Sequence, residues 1–292
     1  MKLVTFTHGG STRIGVRTDS GIVDLAAAAP DLPREMCALL EAGADALAAA
    51  KSASAQANST IPEADVTIES PILRPPKILA VGLNYKDHIA ETGREAPKVP
   101  MIFNKQSTSI TGPDTPVHIP KAAPDRIDYE GEFAVVIGRR CRHVPRDRAH
   151  EVIAGYAVAN DISVRDWQMR SPTFTMGKSW DTHCPLGPWL VTADEVGDPH
   201  TLELKTWVNG ELRQHSNTRE LLFDSFALIE HLSTAFTLEP GDVISTGTPS
   251  GVGIAMDPPN CLKDGDVVRV EIDKLGVLEN TMINEPENTT LV

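Results

Sequence analysis

The sequence predicts a mainly β protein of the α+β class, with a small amino-terminal unit ahead of a larger domain. Three observations carry that expectation. Short apolar or alternating runs bounded by turn residues recur from Ile78 onward. Asn209-Gly210 joins two such runs, the pattern of a two-residue type I′ hairpin. Only one downstream segment, after Asp224, has the clean periodicity of an amphipathic helix.

Taken in order, residues 1 to about 30 alternate around Leu3, Thr5, Ile14, Val16, Ile22 and Val23. Gly9-Gly10 and Asp19-Ser20-Gly21 break the alternation, so short antiparallel strands are expected. From Pro33 to about Ala50 the chain turns to Ala, Leu and Glu, predicting a surface helix, and residues 52–60 read as a polar connector. Pro75-Pro76 stiffens the chain ahead of an apolar strand over 78–81. That divides the chain into a small unit, 1–72, and a main domain, 73–292. Further strands are expected at 132–137, 155–159, 189–191, 202–208, 243–245 and 267–272. In the one clear helix, Leu228, Ile229, Leu232 and Phe236 share a face, and Asp224 or Ser225 caps its start. No repeat of 20–50 residues is visible, which argues against a solenoid or propeller.

Composition bounds the function. A chain of 292 residues that is 41% hydrophobic can bury a sizeable core. Its 27 basic and 40 acidic residues give a net charge of −13, which repels phosphate backbones and anionic membrane surfaces, so no nucleic-acid or membrane partner is expected. No apolar run is long enough to span a bilayer, and the amino terminus lacks a signal-peptide pattern, so a cytoplasmic location is expected. Cys37, Cys141, Cys184 and Cys261 lie far apart, matching neither a disulfide scaffold nor a thiolate zinc site, and Cys184 is given no role.

Glu130 and Glu132 precede and enter an apolar run. On a strand their side chains share one face, with Cα atoms about 6.5–7 Å apart. Gly131 between them would let a ligand approach the backbone. Asp161 ends a second apolar run and can reach the same end of a sheet. Three oxygen donors suit Mg²⁺ or Mn²⁺ better than Zn²⁺. On spacing alone, a solvated strand face is the simpler explanation of the two glutamates, since Glu-x-Glu is a common accident.

His88 and Glu91 stand three residues apart in a short segment that Asn84 can cap and Gly93 can end, which places both on one helical face. A carboxylate there can fix the tautomer of a water-activating imidazole, although a plain surface helix has the same pattern. So short a helix could order as a lid over a ligand. Arg165, followed by Gln168, could clamp a substrate carboxylate or form a surface ion pair. Lys178, between Met176-Gly177 and Trp180, could stabilise an oxyanion or enolate, or face solvent. The loop 245–253 offers amides and hydroxyls to an anion but lacks a phosphate-loop lysine. Trp167 and Trp180 could line a pocket or serve structure alone.

In order along the chain, GLNYKDHIAE around His88 and Glu91, DYEGE around Glu130 and Glu132, NDISVRD around Asp161 and Arg165, GKSWDT around Lys178, VNG, and TGTPSGVG around Thr248 resemble the motifs of the fumarylacetoacetate hydrolase superfamily. The resemblance covers residues 73–283. It implies twisted mixed β-sheets rolled into a barrel-like core, a small amino-terminal domain and a homodimer. It implies Glu130, Glu132 and Asp161 as metal ligands, His88 and Glu91 as the water-activating dyad, and Lys178 as the enolate stabiliser. Arg165, Gln168 and Thr248 are implied as substrate contacts.

Members that cleave fumarylacetoacetate carry a further acidic ligand where this chain reads Ala80-Val81-Gly82-Leu83. That departure implies the branch resembling acylpyruvases and 2-hydroxyhepta-2,4-diene-1,7-dioate isomerases. The expected reaction is Mg²⁺- or Mn²⁺-dependent hydrolysis of a C–C bond in a 2,4-dioxo acid, such as acetylpyruvate or fumarylpyruvate, giving pyruvate and a carboxylic acid. Oxaloacetate decarboxylation, or isomerisation or dehydration of a related 2-oxo acid, would use the same enolate. A metal-stabilised scaffold without turnover is the remaining alternative.

Overall fold

The computed structural model describes residues 1–290. The amino-terminal part contains β1 (Lys2–His8), β2 (Ser11–Thr18), β3 (Gly21–Asp24), α1 (Leu25–Ala28), α2 (Met36–Glu41), α3 (Gly43–Gln56) and β4 (Thr67–Glu69). Next come β5 (Ile78–Gly82), α4 (Lys86–Thr92), β6 (Met101–Lys105), β7 (Ile110–Thr111), β8 (Val117–Ile119) and β9 (Ile127–Asp128). The central strands are β10 (Gly131–Ile137), β11 (Ile153–Asn160) and β12 (Ser163–Val164), followed by α5 (Arg165–Gln168) and α6 (Thr175–Lys178). The chain closes with β13 (Cys184–Thr192), α7 (Ala193–Val196), β14 (Glu203–Val208), β15 (Glu211–Asn217), α8 (Ser225–Ala235), β16 (Val243–Ser245), β17 (Val267–Ile272) and β18 (Gly276–Asn284).

The expected α+β, sheet-dominated class is what the chain adopts. One eleven-stranded sheet runs β3-β2-β1-β13-β11-β10-β16-β5-β6, with β4 beside β1 and β7 beside β13. A five-stranded sheet runs β15-β14-β17-β18-β8, and β9 pairs with β12. The large sheet does not close on itself. Its strands β10, β11 and β13 instead pack on β14, β17 and β18 of the smaller sheet, which gives the core its barrel-like form without a closed barrel.

Every residue of β10 and β11 is buried, because both faces of the central strands are covered. Phe133, Val135 and Ile137 join Leu204, Val270 and Leu278 of the smaller sheet, together with Leu228, Ile229 and Leu232 of α8. The alternate residues Ala134 and Val136 join Leu3, Ile14, Leu39 and Leu40 from the amino-terminal part. Each large aliphatic or aromatic side chain so buried contributes about 1.5–3 kcal/mol. Asp224 caps α8 by accepting from the Ala227 amide at 2.9 Å. Asn209 and Gly210 both take positive φ in the two-residue turn between β14 and β15, as their sequence predicts.

Several boundaries differ from the sequence reading. The single helix expected from Pro33 to Ala50 is two helices, broken at Ala42-Gly43, where glycine is a poor helix former. The second continues to Gln56, because Ser52, Ser54 and Gln56 bond within the helix, so the connector begins later. Strand β13 starts five residues before the expected 189–191, its first half disguised by Pro185 and Pro188. Strand β1 pairs with β13, Leu3 opposite Leu190, so the amino-terminal strands extend the main sheet. Among the described residues no helix is long and apolar enough to cross a membrane.

Candidate active site

The sheet register brings the acidic residues together. Glu132 stands opposite Ala159 and Gly131 opposite Asn160, and the Asp161 amide donates to the Glu130 carbonyl at 2.9 Å. Continuing the alternation of β10 backward puts Glu132 and Glu130 on the Ala134 face. Glu130, Glu132 and Asp161 are all buried, and each offers a carboxylate oxygen within 4.8 Å of the others. Gly131 has a different reason from the one its sequence suggests. A Cβ there would stand 2.1 Å from Thr206 Oγ1 of β14, so close packing of the second sheet requires the glycine.

Two lysines enter this cluster. Lys178 Nζ, at the end of α6, donates to Glu130 at 2.8 Å and to Asp161 at 2.7 Å. Lys105 Nζ, at the end of β6, donates to the other Asp161 oxygen at 2.6 Å, to the His183 carbonyl at 3.0 Å and to the Lys178 carbonyl. Glu132 receives no lysine. It accepts from the Ser245 hydroxyl and from the Gly247 amide at 3.0 Å.

Electrostatics follow from that pairing. Burial would raise the Glu130 carboxyl, but the neighbouring Lys178 and Arg165 charges hold it below the usual range. Burial first, and the Asp161 and Glu130 charges second, push Glu132 up to about 8. With Glu132 ionised, four buried carboxylates, Asp128 included, face two ammonium groups and the Arg165 guanidinium, one positive charge short, and the raised pKa of Glu132 reflects that shortfall. An all-oxygen, anionic donor set short of positive charge fits a hard divalent cation such as Mg²⁺ or Mn²⁺.

Above the cluster is a cavity of about 400 Å³ whose wall includes His88, Glu91, Glu130, Arg165, Gln168, Lys178 and Thr248. Glu132 and Asp161 are buried and do not line it. His88 and Glu91 share a face of α4, with Nδ1 2.9 Å from Oε2. The second Glu91 oxygen accepts from the Gly251 amide at 2.8 Å, and the Ser250 hydroxyl donates to Asp87 at 3.1 Å, so α4 is held to the glycine-rich loop. Gly93 ends α4 in the left-handed region, as expected. Tyr85, not Asn84, is the residue before its first turn. Asn84 instead donates to the Phe223 and Thr246 carbonyls and accepts from the Phe223 amide, tying β5 to distant loops.

Arg165 faces protein carboxylates. Its Nε donates to Asp128 at 2.9 Å, and its Nη1 donates to Glu130 at 2.6 Å and to the Gln168 side-chain oxygen at 3.1 Å. Asp128 is fully buried and also accepts from the Gly253 and Ile254 amides, which fixes the loop forming one cavity wall. Thr248 donates to the Gly131 carbonyl at 3.0 Å and accepts from Gln214 at 2.8 Å. Trp167 and Trp180 pack edge to face, centroids 4.9 Å apart, and line a separate depression.

Sequence reasoning missed Lys105 and Asp128. Lys105 ends an ordinary half-buried strand, and its partners Asp161 and His183 are 56 and 78 residues away. A signal for Asp128 did exist, since it stands two residues before Glu130 in the same acidic segment.

Comparison with known proteins gives one consistent set of matches. Residues 77–283 match the family model described as fumarylacetoacetate (FAA) hydrolase C-terminal. Oxaloacetate tautomerase fahd2, mitochondrial, from Xenopus laevis is 44% identical over 289 residues, covering 97% of this chain and 90% of that protein. The solved structure of maleylpyruvate hydrolase from Sphingobium sp. SYK-6, in complex with manganese (II) ion and pyruvate, is 36% identical with a TM-score of 0.83 and covers 98% of this chain and 100% of that one. The 5-carboxymethyl-2-hydroxymuconate delta-isomerase from Mycobacterium smegmatis is also 36% identical, with a TM-score of 0.78 and the same coverage.

Proposed function

The chain belongs to the fumarylacetoacetate hydrolase family, and from that premise we propose that it moves a proton at the carbon next to the 2-oxo group of a small 2-oxo acid, with keto–enol interconversion of oxaloacetate as its reaction. One observation carries this reading. His88, oriented by Glu91, and Lys178, held by Glu130 and Asp161, line the same cavity, so a proton acceptor and a fixed positive charge face one bound molecule. The similarity to an oxaloacetate tautomerase over nearly the whole chain favours oxaloacetate over the acylpyruvates expected first.

With Glu91 accepting, Nδ1 of His88 carries the hydrogen and Nε2 is the ring's basic atom. In the enol-forming direction Nε2 takes a proton from C3, and the C–H electron pair becomes the C2–C3 double bond. The carbonyl electrons move onto the C2 oxygen, which then takes up a proton from solvent to give the enol, while the His88 imidazolium releases its proton to solvent. Lys178 stabilises the developing negative charge. Burial works against its ammonium form, but the Asp161 and Glu130 charges outweigh that and raise its pKa, so it stays protonated as the reaction proceeds. A divalent cation bound by Glu130, Glu132 and Asp161 would supply Lewis-acid polarisation of the 2-oxo group.

The same dyad supports a second reading, C–C hydrolysis of an acylpyruvate, in which His88 takes its proton from water. The likeness to the maleylpyruvate hydrolase structure favours that alternative, and oxaloacetate decarboxylation would also pass through an enolate. The test follows the ultraviolet absorbance of oxaloacetate enol alongside pyruvate release from oxaloacetate and from acetylpyruvate and fumarylpyruvate, with Mn²⁺ present. Faster loss of enol without pyruvate supports the tautomerase. Pyruvate and a carboxylic acid in equal amounts from an acylpyruvate would replace it with the hydrolase, and pyruvate with carbon dioxide from oxaloacetate would replace it with the decarboxylase. His88→Ala should lower the rate at least about 10²-fold while Mn²⁺ binding persists.

A further inference from the structure

Two arginines on the cavity rim have no role in the arrangement described above. Arg94 follows the end of α4, and Arg126 immediately precedes β9; both line the cavity and both are exposed. Among the described residues neither side chain has a carboxylate within ion-pair distance, whereas Arg165 has Asp128 and Glu130.

The register of the small sheet sets Arg126 apart. Ile127 stands opposite Val164, and the Arg165 amide donates to the Arg126 carbonyl at 2.9 Å, so the pairing continues with Arg126 opposite Arg165. Like charges directly opposite on antiparallel strands repel. Here one member is already neutralised by buried acids, and the other presents an unmatched guanidinium at the cavity mouth. The backbone beside it is fixed a second time, because the Leu262 amide donates to the Ile127 carbonyl at 2.7 Å. Arg94 has no comparable anchorage and lies in an exposed stretch.

We propose that Arg126 is a specificity-determining residue that binds the distal carboxylate of a dicarboxylic 2-oxo acid, selecting such acids over their monocarboxylic counterparts. This rests on the 2-oxo acid reading above and deepens it. The reacting end of the substrate lies against Lys178 on the cavity floor, and the far carboxylate meets Arg126 at the rim in a charge-assisted contact. Since Nε and Nη1 of Arg165 are engaged by the protein, Arg126 supplies the guanidinium that a second carboxylate needs.

The test measures calorimetric binding of malate and lactate to the Mn²⁺-loaded protein. These are unreactive 2-hydroxy acids that differ in the distal carboxylate. The native protein should bind malate about 10- to 100-fold more tightly than lactate, the range expected for one contact to a charged group. Arg126→Gln should remove most of that preference by weakening malate binding, with lactate affinity within about twofold of native by the same reasoning. Arg126→Lys should retain part of the preference. An unchanged preference in Arg126→Gln would overturn the proposal, as would its loss in Arg94→Gln instead. A malate preference that depends on Arg126, in a protein without oxaloacetate turnover, would uphold the inference while refuting the reaction assigned above. Oxaloacetate turnover with no malate preference would do the reverse.

Discussion

Replacing Gly131 by alanine tests whether packing between the two sheets positions the acidic cluster. The added Cβ would meet Thr206 Oγ1 at 2.1 Å, Val270 Cγ1 at 3.1 Å and Gln214 Oε1 at 3.3 Å. None of these can retreat easily, since Thr206, Val270 and Gln214 are all buried. The expected cost is about 2–3 kcal/mol, the upper part of the range for overpacking. At about 2–4 °C per kcal/mol for a large domain, the melting temperature should fall by roughly 5–10 °C in a calorimetric scan. The source of the clash gives a sharper check. Thr206 Oγ1 is buried without a hydrogen-bond partner, so Thr206→Ala removes the obstructing atom and orphans nothing. Gly131→Ala with Thr206→Ala should recover at least half of the loss, whereas Gly131→Ala with Thr206→Val, which keeps an atom near that position, should not. A stable Gly131→Ala, or equal rescue by both partners, would refute the packing argument and return Gly131 to the role of admitting a ligand to the backbone.

Two further outcomes follow from the charge arrangement. Removing divalent metal with EDTA should abolish turnover, and restoring Mn²⁺ to 100 times its dissociation constant should raise stability by about 2.7 kcal/mol, read as a shift in melting temperature; no shift would exclude a site in the folded state. His183 is fully buried, and burial depresses its imidazole pKa to about 3. The unfolded chain therefore binds a proton near pH 6.5 that the folded chain refuses until about pH 3. Its contribution to stability is complete above the unfolded value and is lost as pH falls, at roughly 1.4 kcal/mol per pH unit across that interval. Urea midpoints from pH 7 to pH 4 should decline less steeply in His183→Gln than in the native protein, and parallel declines would rule His183 out as the cause.

The legible parts of the site are those whose geometry is local. Glu130 and Glu132 are a strand repeat apart, His88 and Glu91 are a helical turn apart, and periodicity alone puts each pair on one face. Asp161 was reachable because an apolar run ends immediately before it. Lys105 was not, since nothing near it announces that its ammonium will meet Asp161; Asp128 was marked by its place two residues before Glu130, but its partners, the amides of Gly253 and Ile254, come from 125 and 126 residues away. The same division holds for the fold. The Asn209-Gly210 turn and the Asp224 cap are short-range chemistry and were readable. The pairing of β1 with β13 depends on a strand whose prolines hide it, whereas the break at Ala42-Gly43 is local, set by a glycine at positive φ.

The two halves of the site are mounted differently. The carboxylates stand at the ends of central strands buried on both faces and the lysines on β6 and α6, while His88 and Glu91 ride together on a seven-residue helix fastened to the glycine-rich loop by two side-chain contacts. In the proposed function, the acidic cluster is thus fixed by the sheet, and His88, the proposed proton acceptor, sits on a separately fastened helix. Substitutions in α4 and its flanking loops can change which atom receives or gives the proton without disturbing the cluster. A lineage built on this plan can diversify its chemistry at the cavity's edge while keeping the acidic cluster. Tautomerase, hydrolase and isomerase names among the relatives of one chain are what such a plan would produce.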